Sequence, residues 1–465
     1  APPVPATPPV AGPGAPDDRI MQLGQLFAGV IEEGLRIYGA DPIGTTPAAS
    51  PGPASLPVSP PRPLDDEPVV VTGAALGLPG VEHVFDDANI GRILAGEQFI
   101  SSLPEAARIR MAEMRITRLV KSESGGGSFE TIDDPADVIK LAGLHAPIDV
   151  VEQFAVESAR DEAFDSTTRL AIGAGYDALR DAGIPLVMRY KTTTLGTQLQ
   201  NGWGLPDELR DDTGVVFASA FPGYDRYAEE IEAYTADRTR REHLLALEGV
   251  RTRLAGAAAA TAEVDHLIAD LRAELDANPY EFDRRFLFRV LSMGHSQFAE
   301  IIGARGPNTQ INAACASTTQ AIAVAEDWIR SGRCRRVIVV SADDATGDAL
   351  LPWLTSGFLA SGAAATDERV EDAATPFDRG RHGMIVGMGA ASLVIEAAGA
   401  ARERGVQPIC EVLGAVTANS AFHGTRLDVE HIGAVMDAVV RQAESRGIDR
   451  SAIAGETMFV SHETY

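Results

Sequence analysis

From Pro68 onward, short continuous apolar runs alternate with helical patterns, and this alternation confines the chain to an α/β fold more tightly than any other feature. Val69-Val70-Val71 reads as a strand start, and Thr213 to Ala220 (TGVVFASA) and Val337 to Val340 read as buried strands. Leu170 to Ile184 (LAIGAGYDALRDAGI) reads as a helix of small residues closed by Gly183. With 465 residues, 45% of them hydrophobic, the chain can bury one large core or two ordinary ones. The segment 225–285 breaks the rhythm. There Leu247, Val250, Leu254, Ala257, Thr261, Val264, Ile268, Leu271 and Leu275 recur by three and four. The spacing predicts a long helix or a helical hairpin standing off the body, with an amphipathic helix lying on the main domain as the alternative.

Sixteen of the 28 prolines fall in the first 68 residues, a composition that makes stiff, extended spacers rather than a core. Residues 1–16 and 41–68 therefore read as linkers. Between them Asp17-Asp18 can cap a helix near 17–39, with Ile20, Leu23, Phe27, Val30, Ile31, Gly34, Leu35 and Tyr38 on one face and Gly39 at its end. Its stripe is expected to dock on the main body or a neighbouring subunit, because Glu32 and Glu33 do not suit a membrane surface. The domain reading is thus a Pro/Ala-rich linker over 1–68 and a globular domain over 69–465, expected to be part of a longer polypeptide.

A net charge of −26 repels polyanions and disfavours nucleic acid or anionic membrane as a general partner. No run approaches the roughly 20 apolar residues of a membrane span and no secretory leader opens the chain, so a cytoplasmic location is expected. Cys315, Cys334 and Cys410 are too few and too scattered for a disulfide scaffold or a thiolate zinc site, and no metal is expected. The stretch Thr72-Gly73-Ala74-Ala75-Leu76-Gly77-Leu78-Pro79-Gly80 suggests a dinucleotide turn, but Pro79 removes a backbone donor where a third glycine belongs. None of Lys121, Lys140 and Lys191 has a tyrosine four residues before it, so no nicotinamide site is expected.

The informative stretch runs from Gly303 to Asp344. Gly306-Pro307 makes a turn, Thr309 to Ala313 a strand, and Ala316 to Arg330 a helix, with Cys315 at the change of direction. There the positive end of the helix favours a thiolate and the Cys315 N–H can face a developing oxyanion. Ala313, Ala314, Ala316 and Ser317 are small, which leaves the sulfur accessible to a long substrate. The alternative is an ordinary buried thiol.

The run Ala314-Cys315-Ala316-Ser317-Thr318-Thr319 resembles the nucleophile segment of the β-ketoacyl synthases, the condensing enzymes of fatty-acid and polyketide synthesis. Asp165 to Leu170, Asp177 to Gly183, Ser341-Ala342-Asp343-Asp344, Thr375 to Gly383 and Gly387-Met388-Gly389-Ala390-Ala391 follow the family's order, so the resemblance covers about 68–465. It implies a thiolase-like α-β-α-β-α layered fold, usually a homodimer, with other domains of a type I synthase in the same polypeptide. It further implies that Cys315 takes an acyl chain from an acyl carrier protein, whose phosphopantetheine delivers the acyl group, with no cofactor bound by the domain itself. Two histidines of the family help to decarboxylate a malonyl unit, whose carbanion attacks the acyl-cysteine.

For the first of these, His462 follows a strand-like Met458-Phe459-Val460-Ser461 and is preferred over His423 of His423-Gly424-Thr425. Glu463 stands where the family has glycine, and Met388 where it has an acidic residue. The second histidine, its lysine and a glycine-rich loop lie beyond the first histidine in the family. The domain is therefore expected to be incomplete at its C-terminal end, and this polypeptide alone to condense poorly. A thiolase-fold acyltransferase or thioesterase without decarboxylation, and a non-catalytic ketosynthase-like partner subunit, are the alternatives. Cys334 and Cys410 are expected to be packing thiols, and His295 to be structural rather than part of the approach to the nucleophile. Gly387-x-Gly389 is expected to be a turn, and Arg333, Arg335 and Arg336 a solvated loop or a carrier-protein contact.

Overall fold

The computed structural model describes residues 67–121, 127–254, 258–291, 293–421 and 428–462. The helix expected near 17–39 and His423 lie outside them. Six strands form one mixed sheet: β1 (Val69–Gly77), β2 (Thr213–Ala218), β3 (Asn308–Ile311), β4 (Arg336–Asp344), β5 (Met388–Ala397) and β6 (Cys410–Glu411). Their spatial order is β6-β1-β5-β4-β2-β3. The β4/β2 and β2/β3 pairs are parallel, whereas β5 is antiparallel to both β1 and β4. The helices that matter below are α1 (Ser166–Asp181), α2 (Tyr224–Arg253), α3 (Ala258–Ala277), α4 (Gly294–Ile302), α5 (Ser317–Arg330), α6 (Leu351–Ala360) and α7 (Val429–Ser445).

The strands are apolar on both faces because both faces are covered. In β4, Ile338 and Val340 join the core built around α1, whereas Val337 and Val339 join the core built around α5. In β2, Val215 and Phe217 face the first core, and Val216 and Ala218 the second. This period of two, set by the pleat, produces an α-β-α sandwich. The described residues thus make three of the five layers implied by the family resemblance. No second large sheet forms among them.

Asp165 starts α1 by accepting the Thr168 N–H at 2.9 Å. The small residues of α1 let it lie close to its neighbours. Gly175 receives the Phe298 ring of α4, which is 2% exposed. Gly175→Ala would drive a methyl into that ring, and the overlap outweighs the alanine's better helix propensity. A loss of about 1–3 kcal/mol is expected, read from the urea unfolding midpoint.

The 225–285 pattern folds as a helical hairpin. Ile268 and Leu275 of α3 are buried in it, and Arg240–Glu274 at 2.8 Å, Arg251–Asp265 at 2.5 Å and Arg272–Glu248 at 2.5 Å tie α3 to α2 along the rim.

Several expectations are corrected. Thr72 to Gly77 continues β1 rather than turning, and Gly73 is needed because a Cβ there would meet the backbone of Ala178 and Ala182. Gly389 lies inside β5, not in a turn. The arginine cluster is no solvated loop: Arg336 is buried on Glu396, and Arg335 pairs with Glu403 at 2.7 Å. Cys334 is a packing thiol that burial pushes up to about 12, but Cys410 is exposed on the sheet edge. Met458 to Ser461 forms no strand, and Phe459 and Val460 are 70% and 76% exposed. Apolar β-formers do not make a strand where no neighbour accepts their backbone hydrogen bonds.

Candidate active site

After β3 the chain reverses at a tight elbow. Ala314 has φ +49°, in the left-handed region that costs a non-glycine residue about 1 kcal/mol or more. Ser317 holds the bend: its Oγ accepts the Ala313 N–H at 2.8 Å and donates to the Ala314 carbonyl at 2.6 Å. The Thr318 and Ser341 hydroxyls, 2.7 Å apart, fasten the first turn of α5 to β4. Cys315 stands at the crest, a free and exposed thiol at the start of a 14-residue helix. The peptide dipoles of that helix favour negative charge on a nucleophilic sulfur and on an oxygen reacting beside it.

The C-terminal ends of β2 and β4 build the adjoining wall. Asp343 Oδ1 accepts the Ser219 hydroxyl at 2.7 Å and the Phe221 N–H at 2.9 Å, and both carboxylate oxygens lie 3.0 Å from the Ala220 nitrogen. Burial raises its pKa against the pull of these donors. The next residue, Asp344, takes His145 Nδ1 at 2.6 Å. The Asp344 hydrogen bond holds His145 above its ordinary pKa despite partial burial. Burial pushes Asp344 up, but His145 and the Thr346 donors outweigh it and leave the carboxyl below its usual range. From this wall the Phe221 ring, 6.2 Å from that of Tyr224, leads toward a groove of about 900 Å³. Tyr227 and Ile231 of α2, Met114 and Trp353 of α6 line the groove, which is chiefly apolar.

Residues 280–401, which contain the whole elbow, match the family of the β-ketoacyl synthase N-terminal domain. That stretch of the chain is thus similar to the N-terminal domain of the β-ketoacyl synthases. It is 36% identical over 150 residues to the tetracenomycin polyketide synthase ketoacyl synthase alpha subunit of Streptomyces glaucescens, covering 32% of this chain and 34% of that one. It is 34% identical over 136 residues to the 3-oxoacyl-[acyl-carrier-protein] synthase 2 of Staphylococcus aureus, covering 29% of this chain and 33% of that one. These matches span about a third of each relative's length. In fold the chain resembles a β-ketoacyl synthase from Burkholderia phymatum, with a TM-score of 0.53 at 17% identity over 81% of this chain and 71% of that one. It also resembles the ishigamide ketosynthase/chain length factor, with a TM-score of 0.51 at 18% identity over 83% and 71%.

Cys315 lies between β3 and α5, at the change of direction expected from the sequence. His462 is exposed in the irregular segment after Thr457, and no hydrogen bond joins it to Cys315 among the described residues. His295 is half-buried on α4 with burial lowering its pKa, and its Nδ1 lacks a hydrogen-bond partner. Sequence reading assigned no role to Asn312, Ser219, Asp343 or His145. The pair Asp343-Asp344 closing an apolar strand was the one available signal, since two carboxylates at the end of a buried strand need partners. Among the described residues no cluster of His, Cys, Asp and Glu can hold a metal, and no helix is long and apolar enough to cross a membrane.

Proposed function

We propose that the domain catalyses decarboxylative condensation of an acyl thioester with malonyl-carrier protein through an acyl-Cys315 intermediate. The observation that carries this reading is the exposed Cys315 sulfur on a strained elbow at the head of α5. In the first half-reaction the thiolate attacks the thioester carbonyl, a new C–S bond forms, and the carrier's phosphopantetheine thiolate leaves and takes a proton. In the second, a malonyl unit loses carbon dioxide, the enolate carbon attacks the acyl-cysteine carbonyl, and the Cys315 thiolate is released. The helix dipole serves both thiolate and oxyanion, and His462 is proposed to donate a hydrogen bond to the enolate oxygen. The groove behind Tyr224 has the volume and apolar lining of a ligand cavity and suits the acyl tail. An acyl carrier protein, a second copy of the chain and further synthase domains are the proposed partners, in the cytoplasm.

Exposure of the chain to a C8 acyl-pantetheine thioester followed by peptide mass spectrometry tests the reading. The expected adduct lies on the peptide containing Cys315. An adduct confined to Cys410, or none, overturns it. With malonyl-carrier protein added, carbon dioxide release separates condensation from simple acyl transfer.

A further inference from the structure

The loop that follows β2 is held by a group from another strand, and it in turn touches the elbow. Asp343, at the end of β4, binds the Ser219 hydroxyl and the Ala220 and Phe221 N–H groups. The Ala220 carbonyl accepts Asn312 Nδ2–H at 3.1 Å, and the Ser219 N–H donates to the Ile311 carbonyl at 3.2 Å. Asn312 Oδ1 then accepts the N–H of Ala314 at 3.2 Å. Ala314 is the residue with φ +49° that immediately precedes the nucleophile. Both ends of the Asn312 amide are therefore used, one on the wall and one on the strained peptide.

We infer that Asp343 and Asn312 are positioning residues that fix the Cys315 elbow, Asp343 acting through Ala220 and Asn312 on the Ala314 peptide. The physical need is clear. A left-handed alanine relaxes toward ordinary φ unless its surroundings over-determine it, and Ser317 alone fixes only the Ala313 and Ala314 groups on the helix side. The Asn312 hydrogen bonds are exposed to water and individually weak, so they persist only if the Ala220 carbonyl is held still. A half-buried carboxylate that takes three donors from consecutive residues does that. Asp344 is its charged neighbour, and it is engaged by His145 and Thr346. The inference rests on the reading of Cys315 as the nucleophile.

The test measures alkylation of Cys315 by iodoacetamide, resolved by peptide, with exposed Cys410 as the internal reference. Asn312→Ala and Asp343→Asn are each expected to slow Cys315 relative to Cys410 on the order of tenfold, short of the 10²-fold that a full 1 Å misplacement costs. Because the two residues act in series, the double variant is expected to match Asn312→Ala rather than multiply the two effects. A role confined to stability would move the melting temperature without that non-additive pattern. If Asp343→Asn does not fold, Ser219→Ala, which removes one hydroxyl donor, carries the same comparison. An unchanged Cys315/Cys410 ratio in Asn312→Ala, or multiplied effects in the double variant, overturns the inference. Alkylation needs no acyl donor, so the relay stands or falls separately from condensation. Loss of acyl loading with an intact alkylation pattern would sink the proposed function alone.

Discussion

Cys315→Ala abolishes covalent acyl loading, by at least ~10³-fold, while the domain remains folded. Both halves of this expected result follow from where the sulfur is. Cys315 is exposed, so its removal opens no cavity of the kind that destabilises cores. Alanine already occupies positions 313, 314 and 316, so the elbow tolerates it at 315. The bend itself is held by Ser317 Oγ and by the Asn312 amide, neither of which uses the cysteine side chain. What disappears is the nucleophile. A thiol has an appreciable thiolate fraction near neutral pH, and no hydroxyl or methyl group replaces it. Intact-mass measurement after incubation with an acyl-pantetheine donor gives the loaded fraction, and circular dichroism checks the fold. Cys410, the other exposed thiol, is the internal control: loading that persists in Cys315→Ala and maps to Cys410 would remove Cys315 from the mechanism.

The second large effect concerns stability. Glu396 of β5 is fully buried and serves three donors. Thr72 donates to it at 2.6 Å, Arg336 reaches it from β4 at 2.8 and 2.9 Å, and Arg404 closes on its other oxygen. One carboxylate thus ties β1, β4 and β5 together beneath the sheet. Burial pulls the Arg336 guanidinium down, and Glu396 holds it charged. Glu396→Gln keeps the volume but removes the charge, so two largely buried guanidiniums lose their counterion and an amide N–H₂ faces donors. Breaking a buried ion pair from one side costs about 3–5 kcal/mol, far more than the net worth of the intact pair. The expected result is a fall of that size in unfolding free energy, measured by urea denaturation monitored by circular dichroism. A change below about 1 kcal/mol, the range of surface pairs, would mean that water reaches the network.

Much of the architecture was readable along the chain. The strand-elbow-helix unit around Cys315 lies within two residues of its expected bounds. The apolar stripe of 247–275 marks the seam of the α2–α3 hairpin. In each case the information is local, since helix period, caps and turn residues act over a few positions. The errors share a cause as well. Met458 to Ser461 has strand composition, but only a neighbour can make it a strand. Arg333, Arg335 and Arg336 look like a solvated run, yet β4 begins inside it and turns Arg336 under the sheet.

By itself, then, the sequence determined the α/β class, the helical insertion and the cysteine that heads α5, because each depends on residues close together in the chain. The tertiary structure alone decided which groups the carboxylates closing β4 meet. Asp343 meets Ser219 across 124 positions and Asp344 meets His145 across 199. Such partners are selected by how the strands stack and by the cost of leaving a buried charge without donors, and no periodicity in the chain encodes that choice.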